Sequence, residues 1–268
     1  MTDSAGLTAT GVRRLGEALA DARAGVAFTG AGISTESGIP DFRSRDGLWS
    51  RYRPRDFSFS RYVASPQVRA EAWRRRRELW SRPPRPNPGH LALAGLERAG
   101  RLAGVVTQNV DGLHQAAGSR RVVELHGSSR FVMCIGARPR AGTPAGCGFH
   151  AGQDWALARH DAGEADPGCP DCGGLVKSTA VSFGQNLFPG VLYEATRLVR
   201  SADLVVAIGS TLRVQPAAGL PAAAARAGVP LAIVNDEPTP LDDVADLVVR
   251  GRAGRVLPAA TDVALALA

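Results

Sequence analysis

Lysine is nearly missing from this chain. Lys177 is the only one, although 32 of the 268 residues are basic, so arginine carries the rest of the positive charge. Against 25 acidic residues the formal net charge is +7, a balance that favours acidic and phosphate-bearing partners. The skew, beside so much Ala and Gly, reads as codon bias and not as a surface for nucleic acid. Long apolar runs are missing as well. Stretches such as Leu204-Val205-Val206-Ala207-Ile208 fall far short of the ~18 residues of a membrane helix. Met1-Thr2-Asp3-Ser4 has neither the positive nor the apolar region of a signal peptide. A cytoplasmic chain with no membrane partner is expected. Aromatics make up only 6% of the chain, so aliphatic side chains and Ala must fill the interior.

The 44% hydrophobic and 21% charged content belongs to a soluble globular protein. The length allows one large domain, or a core with a smaller partner. The densest basic run, Arg74-Arg75-Arg76-Arg77, lies in a helix-like stretch between Trp73 and Trp80. It reads as a solvated face flanked by packed tryptophans, since no nucleic-acid-reading module accompanies it. No specific nucleic-acid partner is expected. The four cysteines, Cys134, Cys147, Cys169 and Cys172, are clustered. In a cytosolic chain that favours metal or catalysis over disulfides.

Apolar spacing predicts an opening helix through Val12, Leu15, Ala18, Leu19 and Ala22, then a buried strand, Val26-Ala27-Phe28-Thr29, running into Gly30-Ala31-Gly32. Further strands are expected at 102–107, 121–125, 204–208, 231–234 and 247–249, with helices at 89–99, 191–201 and 217–227. Short apolar strands alternating with helices imply an α/β fold with a parallel sheet covered on both faces. Residues 51–87 and 133–177 break that rhythm. The first is rich in arginine and aromatics with a Pro-rich exit, and the second holds every cysteine. Both read as insertions that build a small second domain, with a ligand cleft between it and the large domain. The expected large domain is 1–50, 88–132 and 178–268. The small one is 51–87 and 133–177, with 133–177 as its zinc module.

A strand followed by Gly30-Ala31-Gly32-Ile33-Ser34 has the form of a dinucleotide cradle, in which glycines let backbone N–H groups approach a pyrophosphate. Two glycines at such a turn also serve plain tight packing. The third glycine is Gly38, so the spacing is G-x-G-x5-G and not the dehydrogenase G-x-G-x-x-G. No strand ending in an acid follows about twenty residues on to hold a ribose. Instead comes Ile39-Pro40-Asp41-Phe42-Arg43: a carboxylate, an aromatic ring and a guanidinium in succession. These suit a polar ring amide and a reactive sugar better than hydride shuttling.

From Gly30 to Arg43 the chain resembles the sirtuins, the NAD-dependent protein lysine deacylases. The likeness continues through Thr107-Gln108-Asn109-Val110-Asp111-Gly112-Leu113-His114 and Glu124-Leu125-His126-Gly127. It extends to Gly209-Ser210-Thr211-Leu212 and Ile233-Val234-Asn235-Asp236. The resemblance implies a Rossmann-like large domain, a small zinc-binding and helical domain, and a cleft taking NAD from one side and acyl-lysine proteins from the other. It implies His126 as the base, with Asn109 and Asp111 orienting the nicotinamide ribose and nearby water. Asp41 with Ile39 would hold the carboxamide, Phe42 would shield the reactive carbon, and Arg43 and Gln108 would fix ribose and phosphates. Gly30, Ala31, Gly32, Ile33, Ser34, Trp49, Gly209, Ser210, Thr211, Asn235, Asp236 and Ala253 complete the expected NAD contacts. Ser210 and Thr211 could also cap the next helix, and His114 reads as a packing residue.

Cys169-Pro170-Asp171-Cys172 is a good half of a structural zinc site, and Cys134 stands where the family's first zinc cysteine would be. The expected partner of Cys134, three residues on, is Ala137. Either Cys147 folds back to complete a four-cysteine zinc site, or Cys147-Gly148-Phe149-His150 supplies a C-x2-H pair, or metal is lost. Four cysteines are preferred, because thiolates dominate structural zinc sites. Val181, Phe183 and Gly184 resemble the substrate-binding segment, where a peptide strand pairs through its main chain. Gln185 there replaces a more usual acid. Sirtuins that prefer succinyl groups carry a Tyr-x-x-Arg pair, and the nearest alignment offers Trp73-Arg74-Arg75-Arg76. Acetyl-lysine is therefore the expected substrate, with longer apolar acyls open. The rival readings are ADP-ribosyl transfer or NAD hydrolysis on the same scaffold, a non-catalytic NAD-binding module and, more distantly, an oxidoreductase.

Overall fold

A computed structural model describes residues 9–42, 47–50, 52–81, 83–137, 139 and 146–267. The first layer is a six-stranded, wholly parallel sheet. Its strands are β1 (Gly25–Thr29), β2 (Leu102–Thr107), β3 (Val122–Glu124), β7 (Val205–Ile208), β8 (Leu231–Val234) and β9 (Leu247–Val249). The spatial order is β3-β2-β1-β7-β8-β9, the doubly wound order in which the chain reverses direction across the sheet between β1 and β7.

The buried apolar residues of the strands divide between two cores. Ala27, Val105, Val206, Ile208, Ala232 and Val234 face one side, and Val26, Phe28, Val106, Val205, Ala207, Leu231 and Ile233 the other. This is the alternation of a sheet buried on both faces. Helices α1 (Ala9–Asp21), α4 (Pro88–Arg98) and α9 (Ala253–Ala266) cover the first side with Leu15, Leu19, Leu93, Leu96, Val256 and Leu257. Helices α7 (Pro189–Arg200) and α8 (Gly219–Arg226) cover the second with Ala195, Leu198, Val199, Leu220 and Ala224. Helix α4 shows why such a segment starts where it does. Asn87 caps it, accepting from Gly89 N at 3.0 Å and His90 N at 3.4 Å, and Pro88 fills the first turn, where no N–H partner is needed.

The second layer is a three-stranded antiparallel sheet, β5 (His150–Gly152), β4 (Phe131–Gly136) and β6 (Leu175–Ser178), in that spatial order. Helices α2 (Phe59–Ala64), α3 (Pro66–Trp80) and α6 (Gln153–Asp161) accompany it. Trp73 of α3 is 1% exposed and packs with Val132, Ala156, Val176, Cys134 and Cys169.

The arginine run is not a solvated face. Arg74 does stay outside, paired with Glu71 at 2.7 Å and with Glu78. Arg75, by contrast, lies over the Tyr52 and Phe57 rings at 5.3 and 5.4 Å. Arg76 turns inward to Ser129 O at 2.9 Å, and Arg77 meets Asp161 at 2.8 Å. Four consecutive helical positions sweep the full circumference, so a run of one residue type cannot occupy one face. Trp73 and Arg76, which the nearest alignment sets at the positions of the Tyr-x-x-Arg pair, are committed to packing and to the Ser129 carbonyl within this layer.

Candidate active site

Gly30, Gln108, Asn109, Asp111, His126, Gly209, Ser210 and Asn235 follow the ends of the parallel strands, at the end of the six-stranded sheet where a doubly wound fold leaves its crevice. After β1 the chain turns at Gly30, whose N–H donates to Ile208 O at 3.0 Å, and enters a 3-10 helix, Ala31–Ser37. Gly32 N donates to Gly209 O at 2.8 Å. A Cβ on Gly32 would sit 2.7 Å from Gly209 Cα, and one on Gly209, where φ is +59°, would sit 2.4 Å from Ile33 N. Only two bare backbones fit so closely. The resulting glycine cradle lies at the reversal point of the sheet.

The residues after β2 form a polar network beneath that cradle. Ser34 Oγ donates to Asp111 Oδ2 at 2.8 Å, and Asn109 Nδ2 donates to Gly30 O and to Ser34 Oγ, both at 3.1 Å. Asp111 Oδ1 accepts from Leu113 N at 2.9 Å, at the start of the short helix α5 (Leu113–Ala116). Gln108 Nε2 donates to Ser210 Oγ at 2.8 Å, joining the second strand's loop to that after β7. Ser210 Oγ also accepts from Leu212 N at 3.2 Å, so it shapes its own turn. It does not cap α8, which starts at Gly219.

His126 follows β3, part-buried, with Nδ1 2.9 Å from Gln108 O. A carbonyl only accepts, so Nδ1 must carry the hydrogen, and in the neutral ring Nε2 keeps its lone pair. Burial pushes the imidazole below its ordinary value, partly offset by that backbone bond. The ring is thus held neutral, oriented and able to take a proton at Nε2.

Asn235 and Asp236 stand just after β8, where Asn235 Nδ2 donates to Glu237 O at 2.7 Å. Ala253 is buried at the start of α9, and Glu36 Oε2 accepts from the following amide, Gly254 N, at 2.7 Å. Ile39 N donates to Ser34 O at 3.3 Å, Asp41 O accepts from Leu48 N at 2.7 Å, and Phe42 is exposed. Arg43 and the Trp49 side chain lie outside the described residues. Val181 N donates to His126 O at 2.7 Å, tying the expected substrate segment to the histidine. Phe183 spends both main-chain groups inside the chain: its N–H donates to Phe57 O at 3.0 Å, and its carbonyl accepts from Phe59 N at 2.9 Å.

The cysteines converge although their spacing is irregular. Cys134 and Cys172 sulfurs lie 3.6 Å apart, those of Cys147 and Cys169 3.5 Å apart, and all four fall within 4.8 Å of one another. Tetrahedral zinc with bonds of ~2.3 Å would set its sulfurs roughly 3.8 Å apart, so the set fits zinc. Cys147 reaches Cys134 because the chain folds back on β4: Cys134 N donates to Phe149 O at 3.0 Å, and Gly146 lies against the Cys134 main chain. Burial opposes ionisation of Cys134, but the amides of Cys147 and Gly136 together with the Cys172 and Cys169 thiols bring it down to about 7. His150 points elsewhere, its ring 5.3 Å from that of Phe131. The C-x2-H alternative is set aside.

A glycine cradle at the reversal point of the sheet, a neutral histidine and a four-thiol cluster on one chain agree with the comparisons. Residues 30–216 match the Sir2 family model. An NAD-dependent protein deacetylase of Bradyrhizobium diazoefficiens is 48% identical over 92% of this chain and 94% of its own. The chain belongs to the Sir2 family. A solved Sir2 enzyme, 40% identical, superposes with a TM-score of 0.85 over 97% of this chain and 100% of its own. Another Sir2 protein, solved with a deacetylated p53 peptide and 3'-O-acetyl ADP-ribose, is 34% identical with a TM-score of 0.82 over 94% and 97% of the two chains.

Asn87, His90 and Glu36 in this Sir2 site escaped sequence reasoning, whereas His114 is buried as its packing reading implied. Asn87, besides capping α4, donates through Nδ2 to Ile33 O at 2.7 Å and Ser37 Oγ at 2.9 Å. The Asn-Pro pair before an apolar run signals the cap, but not that reach. His90 and His114 are buried with rings 4.9 Å apart. His90 Nδ1 accepts from Asn87 N, and His114 Nε2 lies 2.9 Å from Thr29 Oγ1, whose own proton goes to Thr107 Oγ1. Burial drives His90 down to about 4 and His114 to about 3, so both stay neutral beneath Asp111. Glu36 reads as an exposed acid until α9 is brought beside it.

Proposed function

We propose that this chain is an NAD-dependent protein lysine deacylase acting on acetyl-lysine proteins. The observation that carries the reading is the placement of two hydrogen-bonded sets, Ser34 with Asn109 and Asp111, and Gln108 with His126, side by side on the ends of three adjacent strands. NAD, when bound, supplies the glycosidic carbon to which the acyl oxygen bonds as nicotinamide leaves. With one water consumed to release the amine, the products are nicotinamide, free lysine and acylated ADP-ribose.

The chain's part in this is to bind, orient and move one proton. Gly30, Ala31, Gly32, Ile33, Ser34, Gly209, Ser210 and Thr211 line the cradle that would receive the pyrophosphate; the Gly30, Gly32, Ile33 and Gly209 N–H groups and the Ser34 hydroxyl shape it by bonding within the chain. Asn235, Asp236 and Ala253 serve the adenosine end. Ile39 and Asp41 take the carboxamide, Phe42 shields the reactive carbon, Trp49 is a further NAD contact, and Arg43 and Gln108 hold ribose and phosphate. Asn109 and Asp111 orient the nicotinamide ribose and nearby water. His126 Nε2 takes a proton from a ribose hydroxyl, a role suited to a neutral imidazole near physiological pH. Val181 and Gly184 offer main-chain groups to the acylated peptide, with Phe183 beside them. Cys134, Cys147, Cys169 and Cys172 would hold a zinc ion that ties β4 to the loops flanking it. The six-stranded sheet with its helices acts as the nucleotide-binding domain, and segments 51–87 and 133–177 as the smaller one. Reduced thiols gathered for a metal are consistent with a cytoplasmic setting.

The test is nicotinamide release from NAD, with and without an acetyl-lysine peptide, beside the His126→Ala variant. Release that needs the peptide and falls by about two to four orders of magnitude in the variant is expected. Release indifferent to peptide would move the assignment to NAD hydrolysis or ADP-ribosyl transfer. Binding of NAD without any release would leave a non-catalytic module.

A further inference from the structure

Two strands of chain connect the two sheets beside His126, and they are laced together. Thr179 N donates to Phe131 O at 3.0 Å, Thr179 Oγ1 to Ser128 O at 2.8 Å, and Val181 N to His126 O at 2.7 Å. Gly127, with φ +69°, lies so close that a Cβ there would be 2.1 Å from Thr179 O. On leaving β6 the chain bends at Thr179 and Ala180. Inside that bend sits the only lysine of the protein. Lys177 is 4% exposed, and its Nζ donates to Ser178 O at 3.1 Å and to Ala180 O.

We propose that Lys177 is a positioning residue for acyl-peptide recognition, stapling the bend that sets Val181 against His126 and presents the 181–184 segment to substrate. The proposal rests on the deacylase reading and adds to it a residue outside the expected site. Composition supplies an independent argument. Arginine stands at every other basic position in this chain, yet the buried one beside the histidine is lysine. An ammonium is a compact point donor with three hydrogens on a flexible stem, able to bond two carbonyls two residues apart within one bend. A planar guanidinium is wider and presents its donors in a fixed fork. Geometry thus selects lysine here where composition disfavours it. Burial and the nearby Arg76 charge push Lys177 down to about 7, and as ammonium or neutral amine Nζ still carries the two hydrogens that the Ser178 and Ala180 carbonyls accept. The α3 guanidinium is engaged with Ser129 O and Gln153 Oε1.

The experiment uses the full chain with zinc, as wild type, Lys177→Met and Lys177→Arg. It measures kcat and peptide KM with an acetyl-lysine peptide, ADP-ribose affinity by calorimetry, zinc content, and amide hydrogen exchange at Thr179 and Val181. Both variants are expected to keep wild-type ADP-ribose affinity and one zinc per chain. In both, kcat/KM for the peptide should fall about ten- to a hundredfold, the scale of an ångström of misplacement, mostly through KM. Exchange at Thr179 and Val181 should quicken while β1 amides stay protected. Wild-type peptide kinetics in either variant overturn the proposal. So does parallel loss of ADP-ribose affinity, zinc or folding, which would make Lys177 a residue of general stability. A wild-type protein that shows no peptide-dependent release fails the deacylase reading instead, and that control separates the two.

Discussion

Gly32→Ala tests whether the nucleotide cradle depends on contact between two bare backbones. The added Cβ would lie 2.7 Å from Gly209 Cα, 2.9 Å from its oxygen and 3.0 Å from its carbonyl carbon. Ordinary carbon contacts begin near ~3.5 Å, so the loops after β1 and β7 must part by most of an ångström. They are not free to do so. Gly32 N donates to Gly209 O at 2.8 Å and Gly30 N to Ile208 O at 3.0 Å, and the parallel pairing of β1 with β7 runs up to Thr29 and Ile208. Overpacking of this kind costs about 1–3 kcal/mol, and a weakened hydrogen bond adds roughly 1 kcal/mol. For a chain of this size that lowers Tm by roughly 4–12 °C. The same displacement moves the amides that would face the pyrophosphate, so ADP-ribose affinity should fall about tenfold to a hundredfold. Differential scanning fluorimetry and calorimetric titration with ADP-ribose read the two effects. Gly100→Ala is the control: φ there is +72° but nothing lies within 4 Å of the new Cβ, so it should cost stability alone. Wild-type ADP-ribose affinity in Gly32→Ala would refute the reasoning.

The remaining predictions concern pH and metal. Because burial depresses His126, its base form persists below the ordinary histidine range. The acidic limb of kcat/KM should therefore fall below pH 6.5, and a limb above 7 would show that another group titrates. His90 and His114 are depressed to about 4 and about 3, so the unfolded chain binds their protons first as pH falls. Each should then remove roughly 1.4 kcal/mol of stability per pH unit, from pH 6.5 down to its folded value. Urea midpoints at pH 7, 6, 5 and 4.5 measure this, and a flat profile would contradict it. Metal analysis should find one zinc per chain in wild type and His150→Ala and far less in Cys147→Ser, with a lower Tm in the cysteine variant. Zinc lost only from the His150 variant would overturn the four-thiol site.

What could be read in the residues alone was whatever depends on local period and spacing. Apolar runs such as Val26–Phe28 and Leu231–Val234 can only be buried on both faces, and their alternation with helices at 89–99 and 191–201 implied the parallel sheet. The Gly30–Arg43 block pointed to a phosphate cradle and a polar ring amide through its consecutive residues, whereas His126 was assigned only through the resemblance to the sirtuins. Tertiary structure decided what joins distant segments. Cys147 completes the thiol set only because residues 146–149 fold back on β4, a contact no spacing rule encodes. Helical geometry scattered Arg74 to Arg77 around α3, where the sequence showed one charged block. The reach of Asn87 to Ile33, the burial of His90 against His114, and the placement of Lys177 inside its bend all depend on which backbones the packed sheets bring together. A side chain's type is local, whereas its partners and its proton affinity are set by the atoms that displace water around it.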